Sequence, residues 1–194
     1  MPINDEALDV VFRAARTHRQ WQDKPVSPAL LMAIYDLMRW GPTSGNCGPA
    51  RIVFVVSKAA KERLRPHLDE GNVKKTMTAP ATAILGYDLD FARTLPRLAP
   101  HNPGAADVFK DPALAGATAF RNGSVQGGYF IVAARALGLD CGPMSGFNNE
   151  GLDREFFAGT AIKSNFLCNV GYGDPAGIKP RGQRLSFDEA CKIV

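Results

Sequence analysis

No segment limits the fold more than the one that opens at Asp111-Pro112 and closes at Gly138. An aspartate N-cap, a first-turn proline and a terminal glycine bracket a helix of about seven turns. A helix that long crosses a whole small domain, so the rest of the chain must be arranged around it. Ala115, Ala119, Gly123 and Gly127 recur four apart and leave one face without side-chain bulk. Glycine inside a helix costs about 1 kcal/mol against alanine, so the stripe predicts the close approach of another backbone or a flat ligand. Packing within the chain and contact between subunits both satisfy it.

The remaining elements follow from caps and periodicity. Asn4 before Asp5 and Glu6 predicts a first helix reaching to about Arg16, with Ala7, Leu8, Val11, Phe12 and Ala15 on its apolar face. Ser27-Pro28 opens a second, with Leu30, Leu31, Ile34, Leu37 and Met38 inward, and Gly41-Pro42 stops it. Residues 51–56 and 81–87 are apolar runs without alternation, which suits strands covered on both faces, and a helix capped at Ser57 lies between them. Pro96, Pro100, Pro103 and Gly104 break up residues 93–111, an excursion or lid. An extended piece at 139–143, a helical patch at 149–157, a strand at 165–172 and a capping box at Ser186–Glu189 complete the chain. Strands separated by helices, with helices before the first strand, predict an α+β sandwich. No repeat or long linker divides the 194 residues, which are read as one domain, 1–194.

Composition narrows the function. Hydrophobic content of 45% with 22% charge is that of a globular protein, and no apolar run reaches the roughly 18 residues of a membrane span. The first residues lack a secretory leader, so a cytoplasmic protein is expected. Cys47, Cys141, Cys168 and Cys191 form no CxxC pair and read as free thiols, with no metal site expected. A net charge of +4 favours anionic ligands, but no run of five basic residues and no nucleic-acid-binding motif occurs, so no nucleic acid partner is expected. No GxGxxG follows the first strand, which argues against a Rossmann nicotinamide site.

Four segments carry chemistry. Arg16-Thr17-His18-Arg19-Gln20-Trp21 places two guanidiniums and a hydroxyl together, a donor set matched to phosphate oxygens or to a solvated helix end. Residues 40–51, WGPTSGNCGPAR, form a proline-held loop rich in small polar groups, and residues 141–147, CGPMSGF, allow close backbone approach. Lys179-Pro180-Arg181-Gly182-Gln183-Arg184 is a second basic cluster.

In the order RTHRQW, PTSGNCGPAR, GNVKKTMTAP, FRNGSVQ, ALGLDCGPMSGF and RGQR, the chain resembles the FMN-dependent nitroreductase superfamily over essentially its full length. It is most similar to the malonic semialdehyde reductase subfamily of uracil degradation. The resemblance implies a three-layer α/β/α sandwich with a mixed sheet flanked by helices, in a domain-swapped type of homodimer with two FMN molecules at the interface. It implies that Arg16, Thr17 and Arg19 meet the FMN phosphate and polar edge, and that Arg181 and Arg184 belong to a C-terminal phosphate clamp. Asn72 and Lys75 would reach the pyrimidine side of the ring, and Asn122 would be a polar contact from the long helix. Pro143, Ser145 and Gly146 would lie over the flavin with a backbone N–H toward N5, and Pro42, Thr43, Ser44 and Asn46 would come from the partner subunit.

The implied activity is reduction of malonic semialdehyde to 3-hydroxypropionate by NADH or NADPH, with hydride passing through N5 of FMN. A general nitroreductase, quinone reductase or enone reductase is the alternative, and a flavin-binding protein without turnover is the alternative of another class. Many relatives carry an acid where Ser145 stands, and its absence makes an anionic aldehyde easier to accept. No catalytic residue is assigned. His101 is either a proton donor or a solvated loop residue, and Arg97 and Arg121 are either carboxylate grips or ordinary ion-pair partners. Cys47 lacks an assignable histidine and reads as a packed thiol.

Overall fold

The computed structural model describes residues 1–194. Asn4 caps the first helix, its Oδ1 accepting from the Ala7 N–H at 2.9 Å. Helix α1 spans Asp5–Leu8 and widens into a looser turn over Asp9–Arg13, ending short of Arg16, with Val11 its one buried side chain. Ser27 and Pro28 then open α2, Pro28–Met38, which buries Leu31, Ile34 and Met38 but turns Leu37 outward.

Strand β1, Ala50–Val55, leads into α3, Lys58–Leu64, capped by Ser57, and then into α4, Glu70–Met77, and β2, Ala81–Asp88. A short α5, Leu95–Leu98, precedes the long α6, Pro112–Ala136, which Asp111 caps as its spacing predicts. Then come β3, Asp140–Met144; α7, Asn149–Phe156; β4, Ile162–Gly171; and α8, Phe187–Ala190, with its capping box formed.

The four strands stand in the order β1-β2-β4-β3. Every neighbouring pair is antiparallel, which corrects the expected mixed sheet. The connections explain it. Two helices, α3 and α4, leave β1 and return the chain to the same end, so β2 runs back against β1. The long connection through α5 and α6 crosses to the other end, so β3 runs the same way as β2, but β4 inserts between them and opposes both. A lone parallel bridge, Thr17 to Cys141, lies outside the named strands.

Helices cover both faces, giving three layers. On one, α2 and α6 pack over Ala81, Ala83, Leu85, Cys168 and Val170. On the other, Leu64 of α3 and Leu152 of α7 meet Val55, Ile84 and Leu167. The period-two alternation of β2 and β4 thus buries both faces, as their continuous apolar composition predicts.

The small-residue stripe is explained within the chain. A Cβ on Gly127 would stand 2.5 Å from the Phe166 ring, and one on Gly123 would stand 2.9 Å from Tyr87 Cβ. The glycines let α6 lie directly on β2 and β4. Residues 93–111 are short helical turns packed on their own core, where Phe91, Leu95, Ala99 and Ala105 gather with Ala115 and Ala119. Phe109 meets Phe91 edge to face at 4.8 Å.

Candidate functional site: two cavities at opposite sheet edges

The segment after α1 is strapped along the β3 edge. The His18 N–H donates to Cys141 O at 3.0 Å, and the Trp21 indole donates to Lys75 O at 3.0 Å, joining the strap to the end of α4. His18 is buried, with Nε2 3.2 Å from Asp140 Oδ1, so it holds the strap while its neighbours project.

Arg16, Thr17 and Arg19 therefore border a cavity of about 350 Å³, and the chain returns 160 residues later to close it with Lys179, Arg181 and Arg184. The two basic clusters thus line one cavity. Arg181 Nη2 donates to Arg13 O at 2.7 Å and Ala15 O at 3.0 Å, and Arg16 Nη2 donates to Lys179 O. These backbone contacts fix the guanidiniums but use only part of the five donors each carries.

The sequence reading missed Arg135, in the last turn of α6. It lines the same cavity, with Nη1 donating to Val11 O at 3.2 Å and Nε buried without any partner. A basic residue at a helix C-terminus is ordinarily explained by the helix dipole, so nothing local marks it as part of a site. No acidic side chain lines the cavity. Six cations facing one another with no counter-charge, and a buried guanidinium donor left over, are a donor set for an anion with several oxygens.

Beyond Arg19 the cationic surface continues to Lys75, whose ammonium is pushed below its ordinary value by burial and by Arg19 nearby. Asn72 is buried, and its Nδ2 donates to Gly146 O at 2.5 Å, bracing the 145–147 loop, while its Oδ1 accepts no hydrogen bond within the chain. Gly146 is a glycine because a Cβ there would stand 2.6 Å from Asp69 Oδ2 and 2.7 Å from Asn72 Nδ2. The close approach is thus to the chain itself. The Ser145 and Gly146 N–H groups donate to nothing within the chain. Pro143, inside β3, supplies rigidity opposite Cys168.

Pro42, Thr43, Ser44, Asn46 and Asn122 do not join this group. They lie at the β1 edge, three strand spacings or about 14 Å across the sheet. Asn122 is buried and its Oδ1 accepts from the Ser44 N–H at 2.8 Å, while Nδ2 donates to Thr118 O at 2.9 Å. It anchors the loop. Asn46, at φ 54°, donates from Nδ2 to Leu98 O at 2.8 Å and ties that loop to α5.

A larger cavity of about 810 Å³ opens there, lined by Asn46, Arg39, Arg51, Arg97 and Gln126 among others. Gln126 also escaped the sequence reading. Its spacing of four from Asn122, inside a helix otherwise buried through small and apolar residues, is the signal that could have found it. Cys47 is fully buried, and burial pushes its thiol up against the hydrogen bond from Thr43, so it is no thiolate nucleophile. His101 is exposed, makes no side-chain hydrogen bond and lines neither cavity, and Arg121 likewise lines neither.

No helix is long and apolar enough to cross a membrane. A Stenotrophomonas maltophilia protein named as a candidate NADH dehydrogenase/NAD(P)H nitroreductase is 59% identical over 192 residues, covering 99% of this chain and 98% of that one. A Cupriavidus pinatubonensis protein of the same name is 55% identical over 193 residues, covering 98% of each. Among solved structures, a candidate nitroreductase from Exiguobacterium sibiricum in complex with FMN superposes with a TM-score of 0.82 at 17% identity, covering 100% of this chain and 99% of that one. An enone reductase of gut-bacterial fatty acid saturation superposes with a TM-score of 0.86 at 15% identity over 100% of each. The family model described as "Nitroreductase family" matches residues 12–172, and the chain belongs to that family.

Proposed function

We propose that this protein is an FMN-dependent NAD(P)H oxidoreductase that works as a homodimer, the whole chain acting as one flavin-binding unit. The observation that carries the reading is the acid-free cavity at the β3 edge, with six cationic side chains and the orphaned Arg135 Nε. That cavity suits the phosphate of FMN, with Arg16, Thr17, Arg19, Arg181 and Arg184 as its expected donors and Arg135 added to them. Lys75 and the Asn72 Oδ1 would face the polar edge of the ring. Pro143, Ser145 and Gly146 would support it, the two free N–H groups turned toward its acceptor atoms.

The homodimer rests on the split between the edges. Pro42, Thr43, Ser44 and Asn46 cannot border a ligand in the β3-edge cavity of their own chain, but a second copy can bring its β1 edge to it. Met32 and Trp40, 67% and 77% exposed, together with Phe120 and Tyr129 on α6, offer apolar area for such a contact.

FMN, when bound, supplies two-electron chemistry that accepts hydride from a reduced nicotinamide and releases it to an acceptor. In the balanced reaction, malonic semialdehyde, NAD(P)H and one proton give 3-hydroxypropionate and NAD(P)⁺. The chain's part is to fix the phosphate electrostatically, to hold the 145–147 loop through Asn72, and to hold the 42–46 loop through Asn122. A second reading, reduction of nitro, quinone or enone acceptors, is favoured by the names of the relatives that are 52–59% identical.

The test is anaerobic mixing of the purified flavoprotein with NADH and with NADPH, followed by malonic semialdehyde or a nitroaromatic, alongside sedimentation analysis. Bleaching and aldehyde-dependent reoxidation of a dimer are expected. Reoxidation by the nitroaromatic alone favours the second reading, bleaching by neither nucleotide favours a flavin-binding protein without turnover, and a colourless monomer indifferent to FMN sinks the proposal.

A further inference from the structure

The β1-edge cavity holds three arginines that differ in how they are engaged. Arg51 is spent: Nη2 sits 2.8 Å from the buried Asp88 carboxylate and Nη1 donates to Gly48 O and Ala50 O at 3.0 and 2.9 Å. Arg39 leans toward Asp36 at 3.7 Å with its guanidinium over the Trp40 ring at 5.2 Å. Arg97 makes no ion pair and no side-chain hydrogen bond.

No acidic residue lines this cavity either, so Arg97 has no competitor for its charge. Its backbone is placed firmly. Leu95 is buried beside it, and the carbonyl of Leu98 accepts from Asn46 Nδ2, so the guanidinium is presented from a packed turn.

A second donor faces the same space. Gln126 is 7% exposed, and its Oε1 must accept from the Ala50 N–H at 2.8 Å, which fixes the amide orientation. Its Nε2 makes no hydrogen bond within the chain and is the part of this buried amide that reaches the cavity. A nine-tenths-buried amide with a free donor calls for an acceptor oxygen.

We infer that the β1-edge cavity is the site for the carboxylate of a small anionic acceptor, gripped by Arg97, with Gln126 donating to a second oxygen of the same molecule. The inference rests on the flavoenzyme reading above and names the substrate class of that reaction. In the homodimer, this cavity stands beside the loop that borders the flavin of the other protomer, so the anionic end lies on one copy and the phosphate clamp on the other. Arginine suits the task because its planar fork matches a carboxylate and keeps its charge at any working pH. The apolar walls from Ile52, Phe54 and Leu98 suit a short carbon skeleton between the charged end and the reacting carbon.

The experiment compares wild type, Arg97→Ala, Arg97→Lys and Gln126→Leu as FMN-loaded dimers, with malonic semialdehyde and uncharged propanal as acceptors. Flavin content and nucleotide-dependent bleaching are recorded for each variant. Arg97→Ala is expected to lower kcat/KM for the carboxylated aldehyde at least ten-fold more than for propanal, through KM, with part of the loss restored in Arg97→Lys. Propionate, titrated calorimetrically as a non-reacting probe, is expected to bind wild type and to lose at least ten-fold in affinity in Arg97→Ala. Equal losses on both aldehydes, with flavin retained, overturn the inference and leave the flavoenzyme reading standing. A rise confined to the KM for NAD(P)H overturns it in favour of a nucleotide phosphate at Arg97. Wild-type protein that neither binds FMN nor bleaches with nucleotide overturns the reading beneath it.

Discussion

Arginine serves opposite ends at the two edges of the sheet. At the β3 edge, Arg16, Arg181 and Arg184 are tethered to backbone carbonyls and crowd with Arg19, Arg135 and Lys179 around one small cavity. At the β1 edge the cavity is more than twice as large, its walls are partly apolar, and its cations are dispersed. Crowded, tethered cations suit one fixed anion held throughout turnover, as proposed for the FMN phosphate. A roomy space with Arg97 unengaged and neutral amides behind it suits a ligand that must enter and leave. The supports differ in kind as well: a buried amine stands under the β3-edge group, while Asn122 and Gln126 hold the β1 edge through uncharged hydrogen bonds.

The largest effect should come from discharging the crowded edge. Arg16→Ala with Arg19→Ala removes two charge-assisted donors, each worth about 2 kcal/mol, and should weaken FMN binding roughly a thousand-fold. Flavin fluorescence titration of the apoprotein measures it. Arg39→Ala, at the other edge, should cost no more than a few-fold. If the two variants lose flavin alike, the division of labour between the edges is wrong.

How much of this was legible in the sequence depends on whether a signal is local. The caps at Asn4, Ser27, Ser57, Asp111 and Ser186 act within three residues and are all used. Helix α4 was hidden because Gly71, Asn72, Lys74 and Lys75 give it no apolar stripe. It is held by tertiary contacts instead, including Lys61 and Asn169 at its end. The first residues of β4, Lys163 and Ser164 among them, are polar and so escaped notice, although Ser164 pairs with Gly86. The mixed sheet implied by the resemblance was not legible locally, because strand direction depends on which end of the sheet each connection returns to, and no local window contains that. At the site, donor types were readable from Arg16 to Arg19 and from Lys179 to Arg184, but their meeting across 160 residues came only through resemblance. Nothing local says that Asn122 belongs with Ser44 rather than with Asn72. Arg135 looks like any helix-end arginine until its Nε is seen buried.

A second, smaller effect separates the supports by pH. Lys61 donates from Nζ to Thr76 O at 3.0 Å and to Ala79 O, closing the C-terminal end of α4 beneath Asn72 and Lys75. Burial lowers its pKa from 10.5 to about 8. Because the folded pKa lies below the unfolded one, the unfolded chain binds the extra proton between pH 8 and 10.5. Stability therefore rises with pH across that window. The neutral amine still donates both hydrogen bonds, so the contact survives deprotonation. Lys61→Met leaves the two carbonyls unpaired but carries no buried charge, so its denaturation curves should lack the wild-type rise between pH 8 and 10 and its deficit against wild type should be larger at pH 10 than at pH 7. The difference between the two proteins is the measurement, since Lys75 is shifted in the same direction. A parallel pH dependence in both would show that Lys61 is not the group responsible.

The smallest effect tests the uncharged support. Asn122→Ala removes the acceptor of the Ser44 N–H and the donor to Thr118 O, two neutral hydrogen bonds next to the loop. Leaving the Ser44 donor unpaired should cost about 1–2 kcal/mol, a fall in Tm of roughly 3–6 °C for a chain of this size. That loss should not vary between pH 7 and 10, because neither partner titrates there, in contrast to the Lys61 variant. FMN should be retained in the phosphate cavity with less than ten-fold loss, since Asn122 lies across the sheet from Arg16, while turnover with the anionic aldehyde falls as the 42–46 loop loosens. The comparison is sharpened if flavin affinity and turnover separate in this way. Should Asn122→Ala instead empty the flavin as thoroughly as the Arg16, Arg19 double variant, the long helix would couple the two edges rigidly, and the β1 edge would have to be counted as part of the cofactor's own support.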